Sequence, residues 1–328
     1  MPSELPMLPL AKTDEIGFIP ARLQQAFDLL ADWARKGRVP AAALCVGRKG
    51  KMVEPFLVGR QRPGEDAPLR KDGQFLIASI TKPVAAATAV MLLVERGLVA
   101  LQDPVGMHVP KFAANGKQEV RVLHLLTHTS GLPDMLPNND KLRAAHKPLA
   151  AFIDETCALP LLFPPGTKVN YQSMGIAMLA EIVHQVTGTS LREFVDKEIF
   201  RPLGMLDTSL GWQPAQKERI AGVHLSAEQL KTDWNWNTPY WLGFGAPWGG
   251  MVTTPADLAR FCQMMLNGGA LGAVRILSPA TVRAMTTNQL AAMPDVPEEE
   301  RRCRPWGLGW RLQWPAQPSS FGDFVGPR

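Results

Sequence analysis

Ala78-Ser79-Ile80-Thr81-Lys82-Pro83 is the stretch on which the reading of this chain turns. Ser79 and Lys82 stand three residues apart, so on a helix they share one face. Pro83 has no backbone N–H and must lie in the first turn of any helix it joins. Ser79 is therefore expected at a helix N-terminus, where free N–H groups and the helix dipole favour negative charge. A serine hydroxyl is a poor nucleophile until a base takes its proton. A lysine beside it in a partly buried site, with its pKa lowered, is such a base. On its own the spacing fits equally a helix cap followed by a surface lysine.

Working outward, the apolar run after Pro83 predicts a helix through about Glu95, stopped by Gly97. Upstream, Leu23, Ala26, Phe27, Leu30, Trp33 and Ala34 recur at helical spacing between Pro20 and Gly37. Residues 41–47 and 52–59 are short apolar runs around Arg48-Lys49-Gly50-Lys51 and predict an antiparallel hairpin. Downstream, the signals are helical to about residue 305. One helix runs from Met174 to Val186 and stops at Gly188, and another opens at Ser190. Thr254-Pro255-Ala256-Asp257 is a capping box that opens a third, ended by Gly268-Gly269, and Ser278-Pro279 opens a fourth. Trp306 to Trp314 alternates bulky and small residues and predicts a strand. Strands at both ends and helices between give an α/β (α+β) expectation. Residues 1–78 and 306–328 would form an α/β lobe and residues 79–305 a mainly helical one.

Composition bounds the rest. With 46% hydrophobic and 20% charged residues among 328, the chain is neither disordered nor collagen-like. Lys and Arg exceed Asp and Glu by 35 to 30. The densest basic clusters, Arg301-Arg302-Cys303-Arg304 and Arg48-Lys49-Gly50-Lys51, lack interleaved aromatics, so no nucleic-acid partner is expected. The longest apolar run, about Val84 to Val94, is too short to span a bilayer, and no membrane partner is expected. Met1-Pro2-Ser3-Glu4-Leu5-Pro6 carries no basic or apolar leader pattern, so the expected location is cytoplasmic. Cys45, Cys157, Cys262 and Cys303 are scattered and read as buried free thiols, not as a disulfide or zinc framework.

A second element adds to Ser79 and Lys82. Tyr171-Gln172-Ser173-Met174 follows Pro164-Pro165-Gly166 and directly precedes a helix. Tyr171 and Ser173 are placed to point from a loop into a cleft, and a Tyr hydroxyl near an ammonium group can relay protons. Loop packing by Tyr171 and helix capping by Ser173 is the alternative. Gln172 stands at an odd offset and receives no role.

These stretches belong to a longer ordered string. It runs through Phe75 to Lys82, Leu93-Val94-Glu95-Arg96-Gly97, Leu101-Gln102-Asp103-Pro104-Val105 and Leu126-Thr127-His128-Thr129-Ser130-Gly131-Leu132. Phe163-Pro164-Pro165-Gly166, Tyr171 to Gly175, Val186-Thr187-Gly188, Pro202-Leu203-Gly204-Met205 and Gly249 to Thr254 continue it. In this the chain resembles the serine beta-lactamase and penicillin-binding-protein superfamily, in the branch of class C beta-lactamases, D-alanyl-D-alanine carboxypeptidases and class VIII esterases. The resemblance implies a beta-lactamase/transpeptidase-like fold, an antiparallel sheet flanked by helices plus a large helical lobe. It implies that Ser79 attacks an ester or amide carbonyl, that Lys82 and Tyr171 move the protons, and that an acyl-enzyme forms and hydrolyses. The backbone N–H of Ser79 would be half of an oxyanion hole. No metal and no organic cofactor is implied.

Two departures bear on substrate. Ser173 stands where the family usually has Asn, offering one donor where an amide offers two, which weakens a contact to a substrate amide. The family's third motif (Lys-Thr-Gly, His-x-Gly or Trp-x-Gly) is not found after Trp314. Lys71-Asp72-Gly73 and Trp248-Gly249-Gly250 have the letters in the wrong segments. The reading is of a C-terminally truncated copy, with late sheet strands and the C-terminal helix missing. Ser173 and Trp248 are the substrate-binding candidates. The aromatic stretch from Trp234 to Trp248 either lines an apolar acyl pocket or packs the core. His128 and Ser130 are read as shaping their loop. The expected function is a serine hydrolase on small ester or amide substrates, most like a class VIII carboxylesterase. A beta-lactamase or D-alanyl-D-alanine carboxypeptidase is one alternative, and a catalytically inert fragment or binding-only member is another.

Overall fold

The computed structural model of this chain describes residues 5–313. The end of the expected late strand and the search for a third motif fall beyond residue 313, outside the described residues. The chain packs as two compact units, residues 5–78 with 195–276 and residues 79–194 with 277–313.

In the first unit, the helix Pro20–Arg35 begins on a proline whose fixed φ suits a first turn. It ends where Gly37, at φ 69°, donates its N–H to the Ala34 carbonyl. The expected hairpin is present: Ala41–Leu44 pairs antiparallel with Phe56–Gly59, and Gly47–Arg48 pairs with Lys51–Met52. Lys49 and Gly50 both have positive φ (54° and 72°), as a two-residue turn matching the strand twist requires. Phe27 stacks on Phe56 with ring centroids 4.7 Å apart and so docks the helix on the hairpin. A three-stranded antiparallel sheet places Met251–Thr253 between Phe75–Leu76 and Ser209–Leu210. Val252, Ile220 and Leu242 form its core, with Leu76 and Trp212 packed against them. The helix Pro255–Leu266 starts as the capping box predicts, with Thr254 Oγ1 accepting the Asp257 N–H.

The second unit is built around two apolar helices. A π-helical turn, Lys82–Ala87, runs on into the α-helix Thr88–Glu95. The segment Ala78–Glu95 is long and apolar enough to pass for a membrane span, yet 67% of it is buried within the protein, as a core helix is. The helix Met174–Thr187 buries every residue from Met174 to Val183. A helix apolar on all sides belongs in the middle of its unit. Burial of Leu93, Ile176, Leu179 and Ile182 contributes about 1.5–3 kcal/mol each. Gly188 closes this helix in the left-handed region at φ 71°, donating to the His184 carbonyl. Ser278 caps the helix Pro279–Met285 through the Thr281 N–H.

Three expectations change. Residues 306–313 form no strand. Trp306 bridges to Arg311 across a tight reversal at Gly309, whose φ is 80°. Gly307 donates to the Trp310 carbonyl, Leu308 to that of Met285 and Gly309 to that of Leu126. A Cβ on Gly309 would lie 2.3 Å from the Ala87 Cβ, so the alternation of bulky and small residues reflects a close turn. The lobes also divide differently. The expected cut after Ala78 coincides with a unit boundary, but residues 195–276 pack with the N-terminal unit and 306–313 with Ser79. The cause is long-range pairing, such as Phe75–Leu76 with Val252–Thr253, which leaves no local trace in sequence. Finally, the four cysteines are free but not uniformly buried: Cys157 is buried, Cys45 and Cys303 half-buried, and Cys262 exposed.

Candidate active site

The second unit brings Ser79, Lys82, Tyr171 and Ser173 together. Ser79 lies in a short 3-10 turn, Ala78–Ile80, that precedes the π-helical segment. Ala78, just before it, is held at φ 45°, a left-handed conformation that a non-glycine residue adopts at a cost of about 1–3 kcal/mol. Pro83 contributes no N–H to the first turn, and its carbonyl accepts the Thr88 hydroxyl five residues on, at 2.9 Å. Irregular helical turns of this type recur at functional sites. Here the irregular turn sets the Lys82 Nζ 3.0 Å from the Ser79 Oγ.

Lys82 is only 3% exposed. Burial pushes its ammonium down to about 8, against a smaller opposing pull from the Asp134 carboxylate. A neutral amine within hydrogen-bond distance of a serine hydroxyl can take its proton. Tyr171, 39% exposed, lies over the same lysine, with Nζ 4.6 Å from its ring centroid. Burial raises the Tyr171 phenol above its usual value, while a hydrogen bond with Ser79 pulls the other way and Asp134 adds to the rise. Tyr171 is therefore held as the neutral phenol, hydrogen-bonded to the hydroxyl that Lys82 also contacts.

The loop that carries Tyr171 is fixed from beneath by buried polar groups. His128 is 1% exposed and adopts φ 60°. Its Nδ1 accepts the Gln172 N–H at 3.1 Å, and its carbonyl accepts the Asn170 N–H at 2.8 Å. Burial, with Lys82 nearby, drives its imidazole down to about 3, so it is neutral. Its ring lies 4.8 Å from that of Tyr171 and edge-on to Trp306 at 4.2 Å. Ser130 donates its hydroxyl to the Gln172 Oε1 and accepts the Leu132 N–H at 3.1 Å. The loop-shaping expectation for His128 and Ser130 fits these partners.

Gln172, given no role from sequence, is fully buried. Its Nε2 donates to the His124 and Leu125 carbonyls at 3.2 and 3.3 Å. It thus ties residues 124–130 to the loop that presents Tyr171. The adjacent Gly175 leaves it room: a Cβ there would fall 2.7 Å from the Gln172 amide. Asp134 was also missed. The Ser173 hydroxyl donates to its Oδ1 at 2.6 Å, and its backbone carbonyl accepts the N–H groups of Ser173 and Met174. Asp134 and Ser173 are 39 residues apart, and only the fold joins them.

Trp248 is placed in the first unit, 5% exposed and edge-on to Phe244 at 5.8 Å. Trp241 stacks on the same Phe244, so this part of the aromatic stretch packs on itself.

The family model described as Beta-lactamase matches residues 22–324. Penicillin-binding protein 4 of Amycolatopsis lactamdurans is 32% identical over 312 residues, covering 92% of this chain and 78% of that protein. Among solved structures, a family VIII carboxylesterase is similar with a TM-score of 0.73 at 22% identity, over 94% of this chain and 83% of that one. D-amino acid amidase of Ochrobactrum anthropi SV3 is similar with a TM-score of 0.68 at 26% identity, over 81% and 75%. The mixed helix-and-strand architecture is the one these proteins share. With a model that spans most of the sequence and a relative above 30% identity, the chain belongs to the beta-lactamase family.

Proposed function

We propose that this chain is a serine hydrolase that works through an acyl-enzyme on small ester or amide substrates, with esters preferred, as in class VIII carboxylesterases. The observation that carries the reading is the 3.0 Å contact between Ser79 Oγ and a buried Lys82 whose ammonium is pushed down to about 8. In the acylation step the Ser79 Oγ bonds to the carbonyl carbon as its proton passes to Lys82 Nζ. The bond to the leaving oxygen or nitrogen then breaks, and that atom takes a proton through Tyr171, which is protonated and hydrogen-bonded to Ser79. Water adds to the acyl carbon in the second step, its proton passing to the same pair, and the bond from that carbon to Ser79 Oγ breaks as the oxygen takes a proton back from the pair, releasing the acid.

The ester preference rests on Ser173. Its one hydroxyl proton is given to Asp134, so it has none left to donate to a substrate amide carbonyl. Among the similar proteins, one is named a carboxylesterase, one an amidase and one a penicillin-binding protein, which supports an acyl-transfer class of chemistry. The relative named as a penicillin-binding protein, at 32% identity, favours a second reading, hydrolysis of beta-lactams or peptides. Turnover of p-nitrophenyl butyrate beside nitrocefin, with Ser79→Ala as the control, separates these. Ester turnover abolished by Ser79→Ala supports the proposal, turnover that survives it refutes the mechanism, and faster nitrocefin hydrolysis refutes the ester preference.

A further inference from the structure

Ser173 and Asp134 together present an unusual face to anything bound at Ser79. The Ser173 hydroxyl has one proton, and it lies on the 2.6 Å bond to Asp134 Oδ1. What remains on the pair is a set of acceptor lone pairs and one negative charge. Ser173 is buried, Asp134 is exposed, and among the described residues Asp134 makes no ion pair. The pair sits at the base of the loop that presents Tyr171, with Ser173 two residues from it, and the carboxylate acts electrostatically on both Lys82 and Tyr171. Three other titratable groups face this region, and Lys82 is the one that is charged below about pH 8. His128 is neutral, Tyr171 is protonated, and Lys82 loses its charge as the pH passes about 8. An acceptor-only, anionic wall complements a hydrogen-bond donor and repels a carboxylate.

We propose that Asp134, held by Ser173, is a specificity-determining residue that selects substrates with an ammonium group next to the scissile carbonyl, such as amino-acid esters, over neutral and carboxylate-bearing ones. This rests on the hydrolase reading for its catalytic consequence, but not for its binding consequence. A structural alternative is built into the same contacts, because the Asp134 carbonyl accepts the first N–H groups of the helix Met174–Thr187. The test must therefore read charge selection and not activity alone.

Three methyl esters of one shape serve as probes: alanine methyl ester (cationic), methyl isobutyrate (neutral) and monomethyl methylmalonate (anionic). Hydrolysis is followed in a pH-stat with the wild-type chain and Asp134→Asn. The expected kcat/KM order is cation, neutral, anion. The cation-to-neutral ratio should be roughly ten- to a hundredfold, the span of a charge-assisted hydrogen bond, and should fall to near one in Asp134→Asn. Equal losses on all three esters would assign Asp134 a purely structural role and overturn the proposal, as would a wild-type ratio near one. Ligand-observed NMR titration of Ser79→Ala with the same esters reads selection without turnover. Tighter binding of the cation, lost in Ser79→Ala/Asp134→Asn, upholds the proposal even if no ester is hydrolysed. Equal binding of all three overturns it even if they are.

Discussion

Replacing Lys82 with methionine should disable the protein and stabilise it at the same time. Methionine keeps the apolar stem of the lysine and removes the buried charge. The Lys82 ammonium falls from 10.5 in the open chain to about 8 in the folded one. At about 1.4 kcal/mol per pH unit, that is about 3 kcal/mol of destabilisation while both states are protonated. The bond to Ser79 lost in the variant offsets about 1 kcal/mol, leaving a net gain of about 2 kcal/mol for Lys82→Met at pH 7. The pH window follows from the direction of the shift. Below about 8 the lysine is charged in both states and the folded state bears the full penalty. Between about 8 and 10.5 the unfolded chain still binds the proton and the folded chain does not, so wild-type stability rises with pH relative to the variant. Above 10.5 both are neutral and the gain is gone. Urea unfolding of both proteins at pH 7 and at pH 10 measures it, with an advantage for Lys82→Met at pH 7 that shrinks or reverses at pH 10. A variant less stable than wild type at pH 7, or an advantage equal at both pH values, would refute a Lys82 ammonium that burial pushes down to about 8.

Other consequences are as direct. Tyr171→Phe should lower kcat for an ester roughly 10²- to 10⁴-fold with little change in KM, measured by steady-state kinetics, since it removes a proton relay and keeps the ring. The kcat/KM of the wild type should rise with pH through about 8, as Lys82 becomes the free base, and a pH–rate profile flat from 6 to 9 would separate Lys82 from the proton transfer. Gln172→Ala should destabilise the fold by about 2–4 kcal/mol in urea, because it strands the Ser130 hydroxyl proton and the Leu125 carbonyl in the interior, while the His124 carbonyl keeps the Thr129 N–H.

What the chain discloses along its length is mostly local chemistry. Pro20, Gly37, Gly188, Thr254 and Ser278 mark helix ends that stand where the sequence predicts them. A cap or a left-handed stop needs only its own turn. Lys49-Gly50 discloses the hairpin for the same reason. Ser79 and Lys82 were legible from spacing, although the turn that joins them is 3-10 and π rather than α. Asp134 and Gln172 were not legible. Asp134 meets Ser173 across 39 residues, and Gln172 holds groups 42 to 48 residues upstream. No periodicity records such a partner. The run from Trp306 misled because alternation of large and small residues also describes a tight turn laid against Ala87 and His128. Trp248, a substrate-binding candidate at the end of the aromatic stretch, is buried edge-on to Phe244, a contact that the stretch's composition alone does not distinguish from a pocket wall.

The proposed chemistry requires that Ser79 carry the acyl group between its two steps. Quenching the reaction with p-nitrophenyl butyrate during turnover and mapping the adduct by peptide mass spectrometry tests it. A butyryl group is expected on the peptide that holds Ser79, on that residue, and not in Ser79→Ala. Ester hydrolysis at an undiminished rate in Ser79→Ala, or an adduct on a different residue, would contradict it.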